Sequence, residues 1–260
     1  MVKGLYSAYT GMINQQNRMD VLTNNLANVN TNGYKKEGAT SQSFDAMYAH
    51  KIKDSSEKGR TARFIGINNP GVMIGETYTD FSQGPLRTTN NTFDLALSDK
   101  GFFTIEYTNK NGVTSTMYTR DGNFTLNVYG DLVTQDGDYV LGTNGQRIRL
   151  DPLNPDTTIN YAGQILQSGS IIAQILVTDF ENYDYLEHFG ENFFRPVAGA
   201  VEQAAPARVF SGYLEAANVS VVNEMVNMIT VQRAFDTNQK VITTIDGTLE
   251  IAANQLGRLG

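Results

Sequence analysis

The chain has 260 residues, 40% of them hydrophobic, with 24 glycines and 6 prolines, a composition that buries a core of its own and reads as globular with many tight turns. It contains no cysteine, which excludes a disulfide framework, thiolate metal sites and thiol catalysis together. A formal charge of -7 argues against a phosphate-backbone partner and against an acidic membrane surface.

The opening "MVKGLYSAYTGMINQQ" is interrupted by Ser, Thr, Gly and Asn and lacks the apolar stretch of a signal peptide. If the protein works outside the cytoplasm, the expected route is one that removes no leader. Taking every seventh residue from Leu5 and the residue three further on gives Leu5, Ala8, Met12, Gln15, Met19, Leu22, Leu26 and Val29, of which only Gln15 is polar. That spacing predicts a helix carrying a coiled-coil seam over 1–34. Its end is asparagine-rich, "TNNLANVNTNGYKKE" from Thr23 to Glu37. Asn24, Asn25 and Asn28 place short amides around the seam, where they are expected to bond across helix contacts and fix register, and Asn32-Gly33 is expected to stop the helix.

Residues 35–75 read as an extended connecting segment, since Ala49 to Gly71 is polar, charged and aperiodic. Over 76–207 the pattern changes to short β-branched and aromatic runs, "GFFTIEY", "STMYTR", "NFTLNV", "DLVTQ" and "DYVLG". The dipeptides Asn111-Gly112, Asp121-Gly122, Asp136-Gly137 and Asn144-Gly145 supply the positive φ that primed hairpin turns demand, which predicts an all-β domain of antiparallel hairpins. "SIIAQILVTDF" reads as one more buried strand; its apolar run, broken by Gln174, is far shorter than the roughly 20 residues of a membrane helix. From 208 to 260 a second seam runs through Leu214, Val221, Met228, Phe235, Ile242, Leu249 and Leu256, with Ala217, Glu224, Val231, Asn238, Ile245, Ala252 and Leu259 as its weaker partners. A continuous helix there is about 40 residues and about 60 Å long.

Little of this carries chemistry. His50 and His188 stand in unrelated contexts, and no zinc, phosphate-loop or nucleophile-elbow spacing occurs. Asp121, Asn123, Thr125 and Asn127 alternate faintly like a calcium loop, but Leu126 stands where that loop needs glycine, so a hairpin is expected. Asp179, Glu181, Asp184, Glu187 and Glu191 gather among aromatics, in the manner of a glycan-cleaving site with two carboxylates. An exposed acidic loop is the simpler reading, and no catalytic, cofactor-binding or metal-binding residue is assigned. A secreted carbohydrate-binding or adhesive β-module would use Tyr183, Tyr185 and Phe189 as a sugar platform.

The fold class expected is α+β, with terminal coiled-coil-forming helices paired as a discontinuous helical domain around a central, hairpin-rich all-β domain. Two helices cannot cover a two-sided seam of this length, so either the ends are poorly ordered in the monomer or many copies assemble through them.

The residues also carry a resemblance. "NNLANVNTNGYK" (Asn24 to Lys35) resembles the N-terminal signature of the bacterial flagellar rod, hook and hook-associated family. "GYLEAANVSVVNEMVNMITVQRAFDTNQKVI" (Gly212 to Ile242) resembles that family's C-terminal helix, and "GFF" at Gly101 with "YTRDGNF" at Tyr118 to Phe124 its β-domain. Tyr34 stands where Phe is common and Ala217 where Ser is common; Gln135 to Ala207 is not closely matched. The chain's size and "VNMITVQRAF" place it with the larger rod subunits, on the distal rather than the proximal side; a proximal-rod or hook-like subunit is the alternative. The resemblance implies a non-enzymatic structural subunit of the basal-body rod, exported through the flagellar apparatus without a cleaved leader. Such subunits stack into a helical tube that carries torque from motor to hook. Partners implied are further copies of the chain, adjacent rod and hook subunits, the export apparatus and envelope rings, with no cofactor, nucleic acid or membrane insertion. The assembly residues expected under it are Leu5, Met12, Met19, Leu22, Asn24, Asn25, Leu26, Asn28 and Val29 at one end. At the other they are Leu214, Asn218, Val221, Met228, Val231, Phe235, Ile242, Ile245, Leu249 and Leu256.

Overall fold

The computed structural model describes residues 2–45, 47–51, 63–110, 112–154, 156–190 and 192–256, and has terminal helices and a β-rich centre. The described residues within 1–27, 37–80 and 220–260 form one compact unit, and those within 28–36 and 81–219 form another.

In the helical unit, α1 (Val2–Ala27) packs against α2 (Val221–Leu256). Gly4 faces Ile245 and Gly11 faces Asn238, so one helix ascends by seven residues as the other descends, and the pair is antiparallel. A Cβ on Gly11 would lie 3.1 Å from the Asn238 amide nitrogen, so this small residue sets a close approach. The seam supplies the contact: Ala8 and Val231 are buried, while Leu5, Met12, Met19, Leu22, Leu26, Met228, Phe235, Ile242 and Ile245 are half-buried.

The expected helix over 208–260 begins later and spans 36 residues, from Val221. Leu214 belongs instead to a strand, Tyr213–Glu215, where Gly212 at φ 81 has already broken any helical path. At the other end α1 stops at Ala27, ahead of Asn32-Gly33, and Val29 sits in the turn that follows.

The segment read as a connector is built from strands. β1 (Glu37–Ser43) pairs antiparallel with β4 (Val72–Thr79), from Glu37↔Thr79 to Ser43↔Val72, and β2 (Met47–Lys51) pairs with β3 (Arg63–Asn68). Residues 52–62 of the expected connector lie outside the described residues. A polar stripe of α1 covers the β1/β4 ribbon: Asn14 Nδ2 donates to Ser41 Oγ at 3.0 Å, and Thr10 lies so near Gly71 that a Cβ there would meet its Oγ1 at 2.1 Å. β1, "EGATSQS", has no apolar face of its own, which hides it from a search for alternation.

In the β-domain, β5 (Leu86–Thr88) pairs with Tyr213–Glu215 and β6 (Leu95–Ser98) with Arg208–Ser211. The main sheet has nine strands, all joined antiparallel, centred on β7 (Phe102–Thr108). β7 pairs with β8 (Thr114–Thr119), with Tyr139–Val140 and with Val177–Phe180. Alternation along β7 feeds two cores: Phe103 and Ile105 join Leu95, Leu97, Phe124, Leu132 and Val140, while Phe102 joins Tyr118, Phe180 and Phe194. Each such fully buried large side chain contributes about 1.5–3 kcal/mol.

Gly112, Gly137 and Gly145 have positive φ, as turn dipeptides require, but Gly122 does not. Asp121-Gly122 is no primed hairpin turn: Leu95 N–H donates to Gly122 O at 2.9 Å, and a Cβ on Gly122 would strike Leu95 O at 1.7 Å. "SIIAQILVTDF" is likewise two strands, Ser170–Gln174 and Val177–Phe180, and Ile171 and Ile172 of the first are exposed.

Candidate functional site

In the helical unit, the seam leaves a second apolar stripe uncovered. On α2, Val222, Met225, Val226 and Ile229 recur at helical spacing and are exposed, Val222 at 70%. On α1, Tyr6, Tyr9 and Ile13 form a similar exposed stripe, with both tyrosines at 50%. These residues lie off the seam, and their signal in the sequence is that helical positions outside the heptad core are apolar too.

The residues expected to mediate assembly divide by location. Val221, Met228, Phe235, Ile242 and Ile245 line the α1–α2 contact with Val231, Leu249 is exposed, and Leu256 is the last residue of α2. Asn24 is exposed, but Asn25 is fully buried inside its own chain. Asn25 Nδ2 donates to Glu37 O at 2.8 Å and its Oδ1 accepts from Glu37 N–H at 2.9 Å, so its amide closes the start of β1 and does not point toward another copy. Asn28 and Val29 are half-buried in the turn after α1.

The β-domain contains what sequence reading missed, a buried charge cluster. Lys35 Nζ lies 2.7 Å from Glu215 Oε1, and Arg120 lies 3.3 Å from Glu215 Oε2; the side chains of Lys35 and Glu215 are each 1% exposed and that of Arg120 3%. Glu215 Oε1 also accepts from Gly84 N–H at 2.9 Å, Lys35 Nζ donates to Ser82 O at 2.9 Å, and Arg120 donates to Asp99 O at 2.8 Å while its guanidinium stands 5.3 Å from the Phe102 ring. Two cations share one carboxylate and donate to main-chain oxygens around it, a buried network in which loss of the carboxylate leaves both cations uncompensated.

Local backbone geometry brings these groups together. Gly33, at φ 67, donates its N–H to Glu215 O at 2.7 Å, and a Cβ there would lie 2.4 Å from the main chain of Arg120. Leu214, expected on a helix, is buried beside Glu215 and pairs with Arg87. Asn218 fastens the next turn: its Oδ1 accepts from Lys36 N–H at 2.7 Å and its Nδ2 donates to Ser82 O at 3.1 Å.

The carboxylates of the acidic loop do not converge. Asp179 is buried, accepting from Tyr183 Oη at 2.7 Å and from Gln203; Glu187 pairs with Arg195 on an exposed strand; Glu191 lies outside the described residues. The three rings of the supposed sugar platform serve different neighbours: Tyr183 packs on Phe81, Phe189 on Tyr107, and Tyr185 against Gly199. Among the described residues, no helix is long and apolar enough to cross a membrane.

Three stretches match described families. Residues 5–35 match "Flagella basal body rod protein", residues 96–167 "Flagellar hook protein FlgE/F/G D1 domain", and residues 211–256 "Flagellar basal body rod FlgEFG protein C-terminal". The chain is 35% identical to the flagellar basal-body rod protein FlgG of Bacillus subtilis over 98% of this chain and 99% of that one. The chain belongs to the flagellar basal-body rod protein family. Among its rod-family relatives, FlgG of Borreliella burgdorferi is 33% identical, with 98% of each chain covered. FlgF of Caulobacter vibrioides is 30% identical over 100% of this chain and 99% of that one. The family is one of structural subunits of the flagellar basal body, which assemble with other rod and hook subunits. Each matched stretch of this rod-family chain supplies one member of the charge cluster: Lys35 from the first, Arg120 from the second and Glu215 from the third.

Proposed function

We propose that this chain is a distal-rod-like subunit that self-assembles into a helical tube and transmits torque from motor to hook. The observation that carries the reading is the uncovered apolar stripe on each terminal helix, Tyr6, Tyr9 and Ile13 on α1 and Val222, Met225, Val226 and Ile229 on α2. Within one copy the seam residues Leu5, Met12, Met19, Leu22, Leu26, Val221, Met228, Val231, Phe235, Ile242 and Ile245 are spent on the α1–α2 pair. The second stripes take the helices of neighbouring copies through a head-to-tail contact that does not close on itself. Asn24, Asn28, Val29, Asn218, Leu249 and Leu256 then lie at or beside such contacts. A mechanical task suits a chain whose buried charges, Lys35, Arg120 and Glu215, fasten its own segments to one another. Export proceeds through the flagellar apparatus, and envelope rings surround the finished rod.

The test replaces Val222, Val226 and Ile229 by Ser together. Surface substitutions of this kind change stability within about 0.5 kcal/mol each, so the purified chain stays folded, whereas cells carrying it assemble no complete rod and do not swim. Normal rods from that variant would refute the reading. Complementation of strains lacking either the distal or the proximal rod subunit separates those two positions, rescue of the distal strain alone being the expected result.

A further inference from the structure

A cleft of about 480 Å³ opens on the β-domain, lined among others by Asn32, Tyr107, Thr119, Asp121, Asp136 and Asn192. Among the described residues its lining holds two carboxylates and no lysine, arginine or histidine. Asn192 is 8% exposed, and its amide orientation is fixed because Nδ2 donates to Asn32 O. That leaves Asn192 Oδ1, a buried acceptor, with no hydrogen-bond partner. Thr119 Oγ1 ties the two sides together, donating to Asn192 O at 2.9 Å and accepting from Asp121 N–H at 3.0 Å.

An acceptor without a donor, beside carboxylates without a cation, asks for a positively charged ligand. The available atoms are all oxygens from carboxylates, amides and hydroxyls, which suit a hard divalent ion and not zinc or copper. Ca2+ accepts irregular sets of carboxylate, amide and water oxygens, whereas Mg2+ demands near-ideal octahedra. Among the described residues no three of His, Cys, Asp and Glu gather as ligands, so water must complete the shell, and the cleft has the room. We propose that this cleft binds Ca2+, held by the carboxylates of Asp121 and Asp136 and the amide oxygen of Asn192. With so few charged ligands the affinity falls in the weak range of extracellular calcium modules, with Kd on the order of 10⁻⁴–10⁻³ M.

The probe is Tb3+, which replaces Ca2+ and emits when a nearby tyrosine is excited; Tyr107 lines the cleft and the chain has no tryptophan to compete. In the full-length protein, sensitised emission should saturate and be displaced by millimolar Ca2+ at lower concentration than by Mg2+. Asp136→Asn, at an exposed position that leaves the fold intact, should weaken Tb3+ at least about threefold, and Asp121→Asn with Asp136→Asn at least about tenfold. Tyr107→Phe should lower emission without changing affinity. Equal binding by the Asp121→Asn/Asp136→Asn variant, or failure of Ca2+ to displace Tb3+, would overturn the proposal. Loss of self-association by that variant in chelator, with no metal bound by the parent, would also overturn it and assign the cleft to a basic side chain of another copy.

Discussion

Replacing Glu215 by Gln keeps the shape of the side chain and removes its charge, leaving Lys35 and Arg120 in place at 1% and 3% side-chain exposure. Gln can still accept from Gly84 N–H or from Lys35, but no anion remains against the two cations. Removing one partner of a buried pair costs about 3–5 kcal/mol, and with two cations stranded the upper end, about 5 kcal/mol, is expected. For a domain of this size that lowers Tm by about 10–20 °C. Lys35→Met is the informative comparison, because Glu215 and Arg120 still balance each other, and its expected cost is about 1–3 kcal/mol. Once Lys35 is gone, Glu215→Gln strands one cation in place of two, so the double variant should show a favourable coupling of about 1–3 kcal/mol. The assay is urea unfolding of the full chain at neutral pH, followed by tyrosine fluorescence and far-ultraviolet circular dichroism. A cost below about 1 kcal/mol for Glu215→Gln, or a Lys35→Met more costly than Glu215→Gln, would show that the cluster is solvated in practice and refute the reasoning.

Asn25→Ala strips both partners from the Glu37 main chain in a fully buried position, and should lower the stability of the helical unit by about 2–4 kcal/mol in thermal melts. Gly33→Ala combines a left-handed φ with a Cβ driven into the Arg120 main chain, and should cost at least about 2 kcal/mol; an unchanged melt would mean the turn relaxes freely. Tyr118 and Tyr183 are both pushed up, by burial first and then by their hydrogen bonds to Glu202 and Asp179. Their contribution to folding is complete below the usual tyrosine pKa of about 10 and is lost as pH rises past it toward the folded values. Spectrophotometric titration should therefore find fewer than the full 13 tyrosines ionising in the folded chain, the rest appearing only with alkaline unfolding.

The helices were legible because their repeat of seven is local to each segment, and the turns at Gly112, Gly137 and Gly145 because Asn-Gly and Asp-Gly dipeptides announce themselves locally. What the local pattern conceals is whatever depends on a distant partner. Leu214 fits the heptad numerically, yet it is a strand residue because Gly212 turns the chain and Glu215 must face Lys35. β1 reads as a connector because its place is set by pairing with β4 and by contact with α1, and not by an apolar face of its own. Asn25 looked like a contact for another copy because nothing in "NNLAN" reveals that Glu37 lies beside it. The charge cluster was present in the quoted motifs, one residue in each, but only the fold shows that a lysine, an arginine and a glutamate in separate motifs are a single object.

The Lys35–Glu215 contact joins residues separated by 180 positions. Closing a loop of that length yields no stabilisation until both ends are present, whatever else has folded before. A chain delivered from either end therefore leaves its β-domain unfinished until nearly all of it has emerged. Until Glu215 and the two cations are all present, burying Lys35 or Arg120 would strand a charge. The cluster thus ties three distant segments into one closure: a chain that lacks Glu215 has no carboxylate to set between Lys35 and Arg120, however well the hairpins between them have formed.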